Sequence, residues 1–128
     1  MSEQVSVSSP PSGLCDSEIA VVRAGDYVNK HSGQRIEREC LLRIECGCRA
    51  LVIDFKGTEL VNSIGVSILL GVIDMAEQIS ARIVFSNVSL HTVKLFELLG
   101  LTRLVAMAES EEAALATLKE FAPPPNGH

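Results

Sequence analysis

Tryptophan is absent from this 128-residue chain, which has one tyrosine and four phenylalanines. Few aromatic rings are therefore available to stack on nucleobases or sugars. The chain also lacks any cluster of lysine and arginine, and its formal net charge is −5. Because nucleic acids and anionic membranes attract basic surfaces, we expect neither as a partner. A protein or a small ligand is the expected partner.

A long apolar run and an export signal are both missing. The most apolar stretch, residues 64–73, contains Ser67 and two glycines and is followed by Asp74. It is much shorter than the roughly 20 residues that cross a bilayer as a helix. The first residues do not show a basic segment followed by an apolar one. These patterns predict a cytoplasmic protein.

The cysteines and histidines show no metal-ligand spacing. Cys46 and Cys48 form a C-x-C pair instead of the C-x-x-C pair of zinc and thioredoxin-like sites. We therefore expect no metal and, in a reducing cytosol, four free thiols. One alternative is a thiol enzyme that uses these two cysteines, which would require a lowered thiol pKa. The other cysteines are Cys15 and Cys40, and the histidines are His31, His91 and His128.

The composition that remains is typical of one globular domain. Hydrophobic residues make up 47% of the chain and charged residues 21%, and an aliphatic core suits buried strands in an α/β fold. We expect the folded domain at residues 14–122. Residues 1–13 are rich in serine, proline and glycine, which predicts a flexible N-terminal lead-in. Val5 and Val7 alternate with serines, however, and could instead form a short edge strand. The proline-rich residues 123–128 predict a flexible tail.

Strand and helix patterns alternate along the domain. The order β-α-β-α-β-α-β-α predicts a mainly parallel sheet of four to five strands with about four helices packed on it. Ser89 is the expected N-cap of the third helix, and Gly100 is its expected left-handed C-terminal residue. The predicted strands are residues 19–22, 50–55, 82–85 and 104–106, and the predicted helices are residues 34–45, 64–79, 90–99 and one that begins at residues 110–112.

The tetrapeptide Asn62-Ser63-Ile64-Gly65 stands just before the most apolar helix pattern. This position places a hydroxyl at a helix start, where free N–H groups and the helix dipole favour an anion. A phosphate on Ser63 would add about −1.5 to −2 charge to a surface of small and apolar groups. The alternative is that Asn62 and Ser63 act as ordinary helix caps. The local pattern leaves both interpretations open.

Five segments in the same order resemble those of one known family. They are residues 22–26 (VRAGD), 51–55 (LVIDF), 62–65 (NSIG), 93–101 (VKLFELLGL) and 110–115 (SEEAAL). The third of these resembles a phosphorylation motif of the form Asp-Ser-Ser/Thr-Gly. On these segments residues 18–120, about four-fifths of the chain, resemble the STAS domain. More narrowly, they resemble the bacterial anti-sigma factor antagonists.

The resemblance implies a binding module without a cofactor of its own, and not an enzyme. The resemblance implies a partner-switching pathway, in which the unphosphorylated protein binds a cytosolic serine kinase of the histidine-kinase-like ATPase type. This kinase is also the anti-sigma factor, and the binding makes it release the target that it sequesters. The kinase then uses ATP and Mg²⁺ to phosphorylate the motif serine, and a phosphatase removes the phosphate. Carried onto this sequence, the phosphoacceptor is Ser63, and the motif and partner-binding residues are Asn29, Asn62, Ile64, Gly65, Ser67 and His91. Weak self-association stays open.

Two of these residues depart from the family pattern. Asn62 stands where many members carry aspartate, and Asn29 stands where a second acidic residue is usual. Loss of two carboxylates removes repulsion against a phosphate on Ser63, but it also removes groups that could help a kinase to orient the hydroxyl. The alternative function is therefore a STAS scaffold or transporter-associated subunit that binds its partner constitutively, without phosphorylation.

Three other residues have a structural alternative. Ser67 is expected to be a small residue packed against a neighbouring element, and His91 an exposed residue near a helix start. Asp54, at the end of the central strand, is expected to have a structural hydrogen-bonding role instead of a catalytic one.

Overall fold

The computed structural model describes residues 19–121. The predicted lead-in with Val5 and Val7, Cys15, and the tail at residues 123–128 therefore lie outside the described residues. In chain order the elements are β1 (Ile19–Arg23), β2 (Tyr27–Val28), α1 (Lys30–Glu45), β3 (Ala50–Asp54), β4 (Leu60–Val61), α2 (Ser63–Gln78), β5 (Arg82–Ser86), α3 (Leu90–Leu99), a 3-10 turn (Leu101–Arg103), β6 (Ala106–Ala108) and α4 (Glu111–Phe121).

Four parallel strands form the main sheet, in the order β1-β3-β5-β6. One face carries the larger core, in which the rings of Phe55, Phe85 and Phe96 meet with centroids 4.9 to 5.8 Å apart. On the other face Val52 and Val84 pack against α4. Among residues 19–121 this gives four helices and a parallel α/β sheet, as the alternating pattern predicts.

A second, two-stranded sheet pairs β2 with β4, also in parallel. Tyr27 lies opposite Leu60, and Val28 lies opposite Val61. Neither strand is predicted from the sequence, because two residues are too few to show an alternating pattern. This small sheet leads directly into α1 and α2, so it sets how the two helices begin.

The first helix begins earlier than predicted, at Lys30 instead of residue 34. Asn29 is its N-cap: the Ser32 N–H donates to Asn29 Oδ1 at 3.0 Å, and the Asn29 N–H donates to Ser32 Oγ at 2.9 Å. This reciprocal pair is a capping box in which serine takes the place usually held by glutamate or glutamine. The first turn carries no apolar stripe, so periodicity alone did not indicate it.

The last predicted strand is also displaced, from residues 104–106 to Ala106–Ala108. After Gly100, which has φ +84° as expected for a left-handed C-terminal residue, the chain forms the 3-10 turn and buries Leu101. The Leu104 N–H donates to the Leu101 carbonyl, which keeps this segment out of the sheet. The other predicted elements are confirmed to within one residue, including the Ser89 cap of α3.

Candidate functional site

The start of α2 shows which of the two residues, Asn62 or Ser63, caps the helix. Asn62 is the N-cap, and its Oδ1 accepts a hydrogen bond from the Gly65 N–H at 2.8 Å. Ser63 is the first helical residue and is exposed, and the rest of residues 19–121 provides no hydrogen-bond partner for its hydroxyl. The interpretation of Ser63 as a cap is therefore wrong, whereas that of Asn62 is confirmed.

Within residues 19–121, two backbone N–H groups at this helix start have no hydrogen-bond acceptor. The Asn62 N–H donates to the Val28 carbonyl at 2.9 Å, and the Gly65 N–H is held by the cap. The N–H groups of Ser63 and Ile64 come from the two residues between them, where an α-helix offers no internal acceptor. No acidic residue lies in the first turn. The helix dipole at this end is therefore not offset by a carboxylate of its own helix.

The two amides that depart from the family pattern lie side by side. Asn29 follows β2 and Asn62 follows β4, and these strands are paired in register. Both asparagines line one shallow depression of about 380 Å³, together with Tyr27, Lys30, His31 and Gln34. Among the described residues, the depression is lined by a lysine and a histidine and by no acidic side chain. Lys30 and His31 are more than 30 positions from Ser63 in the sequence, so no local pattern connects them with it.

The two glycines of α2 have different surroundings. A β-carbon at Gly65 would lie 2.5 Å from the Val28 carbonyl oxygen, so the close contact of α2 with β2 requires glycine there. At Gly71, no atom of residues 19–121 lies within 4 Å of the same position. Packing within the described residues therefore explains Gly65 but not Gly71. A glycine at position 71 costs the helix about 1 kcal/mol relative to alanine.

Exposed residues form one stripe along α2. Ile64 is 51% exposed, and Ser67 and Gly71 are exposed one and two turns further on. Because residues three and four apart share a helix face, these side chains lie together. The expectation that Ser67 packs against a neighbouring element is wrong. His91 is exposed, as expected, and lies at the start of α3, which begins at the same edge of the parallel sheet.

Asp54 forms a structural network at the carboxyl end of β3. Its carboxylate is 3% exposed and accepts hydrogen bonds from Arg23 at 2.6 Å, Ser86 Oγ at 2.9 Å and Asn87 Nδ2 at 2.7 Å. Burial acts to raise the pKa of Asp54, but these hydrogen bonds outweigh it and hold the pKa below its usual value. Arg23 also pairs with Glu111 at 2.8 Å, which joins β1 and β3 to the start of α4.

The cysteines lack the environment of a reactive pair. Cys46 is exposed at the end of α1, whereas Cys48 is buried and burial raises its pKa. Burial also raises the pKa of Cys40 to about 12. A catalytic thiol needs a lowered pKa, so the thiol-enzyme alternative finds no support in this pair.

No helix within residues 19–121 combines the length and the apolar character needed to cross a lipid bilayer.

A comparison with family models decides the family. The model of the STAS domain matches residues 14–114. The chain belongs to the STAS domain family. This match confirms the resemblance that the five sequence segments indicate. The matched region includes every described element from β1 to the start of α4.

The proteins that this chain is similar to include an anti-sigma factor antagonist and a sulfate transporter family protein. The chain is 27% identical over 96 residues to BtrV of Bordetella bronchiseptica, described as a proposed anti-sigma factor antagonist, and the match covers 75% of this chain and 83% of BtrV. The structure is similar to phosphorylated SpoIIAA of Bacillus, with a TM-score of 0.63, 24% identity and coverage of 79% of this chain and 91% of SpoIIAA. A sulfate transporter family protein of Wolinella succinogenes gives a TM-score of 0.73 at 14% identity, with coverage of 80% and 86%. At these identities the two structures confirm the fold alone.

Proposed function

We propose that this chain is an anti-sigma factor antagonist of a bacterial partner-switching pathway. Its unphosphorylated form binds a cytosolic serine kinase of the histidine-kinase-like ATPase type, which is also the anti-sigma factor, and so releases the target that the kinase sequesters. Phosphorylation of Ser63 ends the interaction, and a phosphatase restores it. The chain binds and is modified but catalyses no reaction itself. Similarity to BtrV supports this role.

The observation that carries the proposal is that Asn62, and not Ser63, caps α2. Because Asn62 provides the cap, the exposed Ser63 hydroxyl is available for modification without loss of a helix-capping bond. A phosphate there would meet the helix N-terminus, which favours anions. It would also place about −1.5 to −2 charge beside the exposed Ile64 side chain.

The exposed stripe of α2 is the proposed docking surface. Gly71 lacks a β-carbon although no atom of the described part of the chain lies within 4 Å of the place that a β-carbon would take. Close approach of a partner to the helix backbone would account for a residue that weakens the helix. A phosphate at the end of the same stripe would add bulk, charge and a desolvation cost to the bound state. One modification would therefore release the partner.

The second candidate is a constitutive STAS scaffold or a transporter-associated subunit. The uncharged Asn29 and Asn62 favour it, because they remove carboxylates that could orient the hydroxyl for a kinase. Both amides, however, cap a helix, a role that asparagine and aspartate fill equally well. The amides are thus compatible with either function.

The test combines partner capture with intact-mass measurement. Wild type, Ser63→Ala and the control Thr102→Ala, which removes an exposed hydroxyl in the 3-10 turn away from α2, are used to capture partners from host lysate, and ATP and Mg²⁺ are then added. We expect one added phosphate on wild type and on Thr102→Ala, none on Ser63→Ala, and release of a kinase from the two phosphorylated proteins. If all three proteins stay unmodified and retain the same partner, the chain is a constitutive scaffold.

A further inference from the structure

The small β2–β4 sheet places the first residues of two helices next to each other. Val28 lies opposite Val61, so the next residues, Asn29 and Asn62, continue the same register. Lys30 and Ser63 then occupy the first helical position of α1 and α2. Paired strands are about 4.8 Å apart, and packed helices are about 8–10 Å apart.

The two helices stay in contact beyond their first turn. A β-carbon at Gly33, in α1, would lie 3.0 Å from Ile68 Cδ1, in α2. This close packing prevents the helix starts from separating. A flexible lysine at the start of α1 is therefore close to a group added at the start of α2.

The charged side chain where the two helix starts meet is a lysine. Lys30 lines the depression that Asn29 and Asn62 share, together with His31, and among residues 19–121 no acidic side chain lines it. Neither helix has an acidic residue in its first turn. Lys30 is exposed, and within residues 19–121 the structure gives its ammonium group no ion-pair partner. This positive site stands out in a chain whose net charge is −5.

We propose that the ammonium group of Lys30 binds the phosphate of phosphorylated Ser63 within the same molecule. The contact is a charge-assisted hydrogen bond between a lysine and a phosphate oxygen. The contact also explains why Asn29 and Asn62 are both uncharged, because a carboxylate at either position would compete for Lys30 and repel the phosphate. The inference deepens the proposed function and rests on it for the identity of Ser63 as the modified residue.

The contact has a consequence for the switch. A phosphate held between two helix starts joins α1 to α2 and stabilises the phosphorylated fold. It also withdraws part of the phosphate from solvent, so a phosphatase must first displace Lys30. The phosphorylated state is therefore longer-lived than one whose phosphate projects freely into water.

The test places phosphoserine at position 63 during translation, so that no kinase is needed. Thermal unfolding midpoints of the phosphorylated and unphosphorylated forms are compared in wild type, in Lys30→Gln and in the matched control Lys119→Gln. Lys119 is exposed and lies in the last turn of α4, on the other face of the sheet. The readout is the change that phosphorylation causes in each background, so any effect of a substitution on folding itself cancels.

We expect phosphorylation to raise the midpoint of wild type and of Lys119→Gln by about 2–6 °C at low salt, the size of shift that a charge-assisted contact gives in a domain of this length. In Lys30→Gln at least half of that rise is lost, and high salt reduces the rise in wild type. An equal rise in Lys30→Gln and wild type overturns the inference.

Failure of the proposed function gives a different result. If the host kinase leaves Ser63 unmodified, the pathway role falls, but the phosphoserine introduced at position 63 still reports on Lys30. If the host kinase modifies Ser63 while Lys30→Gln leaves the midpoint shift unchanged, the pathway role stands and the Lys30 contact falls.

Discussion

Gly65 lies so close to Val28 that a β-carbon on the glycine would be 2.5 Å from the valine's carbonyl oxygen. The same carbonyl accepts the Asn62 N–H at 2.9 Å. The first turn of α2 is therefore fixed to β2 by a close approach and by a hydrogen bond at the same oxygen. The position of Ser63, between Asn62 and Gly65, follows from these two contacts.

The first prediction concerns this close approach. Gly65→Ala should lower the free energy of unfolding by about 1–3 kcal/mol, because the obstructing atom belongs to the backbone and cannot turn away. The loss occurs although alanine is the better helix former. Urea unfolding of wild type and the variant measures the difference. A variant as stable as wild type would show that α2 can move away from β2 at little cost.

Gly71→Ala provides the matched comparison on the same helix. Open space around Gly71 means that alanine should raise the free energy of unfolding by about 0.5–1 kcal/mol. If a partner docks on the α2 stripe, the same methyl group should weaken binding by about tenfold, which corresponds to about 1.4 kcal/mol. Calorimetric titration with the purified partner measures this affinity. Gln78→Ala, at the far end of α2, is the control, and equal affinities would place the docking surface elsewhere.

Periodicity and capping residues predicted most of the fold. The apolar face of α2, the Ser89 cap of α3 and the continuous apolar strand at β3 each depend on residues close together in sequence. The start of α1 was missed because its first turn is polar and is specified by Asn29 and Ser32 alone. The strands β2 and β4 stabilise each other only by pairing, which no local pattern reveals.

The candidate site likewise contains one residue that a local sequence pattern predicts and one that it does not. Ser63 was identified from its own neighbours in sequence, because an Asn-Ser pair before an apolar helix is a local signal. Lys30, the proposed phosphate partner, is 33 positions from Ser63 in the sequence, and only the β2–β4 pairing and the packing of Gly33 on Ile68 bring the two helix starts together. A contact that depends on tertiary structure leaves no trace in the spacing of one segment.

The third prediction separates the capping role of Asn62 from its charge. Asn62→Ala should lower the free energy of unfolding by about 1 kcal/mol, because the Gly65 N–H loses its acceptor. Asn62→Asp should be as stable as wild type or more stable by up to about 1 kcal/mol, because the carboxylate retains the acceptor and is favoured by the helix dipole. Urea unfolding at low ionic strength measures both. A large loss in Asn62→Asp would mean that the amide group makes a contact that an oxygen cannot replace.

The last prediction concerns the pH dependence of stability through Asp54. The pKa of this carboxyl is lowered in the folded protein, because the hydrogen bonds from Asn87, Ser86 and Arg23 outweigh the effect of burial. Asp54 therefore stabilises the fold above its unfolded-state pKa of about 3.9. This stabilisation is lost as pH falls below that value and through the lower folded-state pKa.

Asp54→Asn should accordingly lower the free energy of unfolding by about 1–3 kcal/mol at pH 7, since an amide cannot accept all three hydrogen bonds and leaves Arg23 without its closest carboxylate. The difference between variant and wild type should shrink as pH falls from 5 to 3, which urea unfolding across that range measures. Glu59→Gln, which removes an exposed carboxylate, controls for the general loss of a negative charge. A difference that stays constant with pH would mean that Asp54 acts through packing and not through its ionised form.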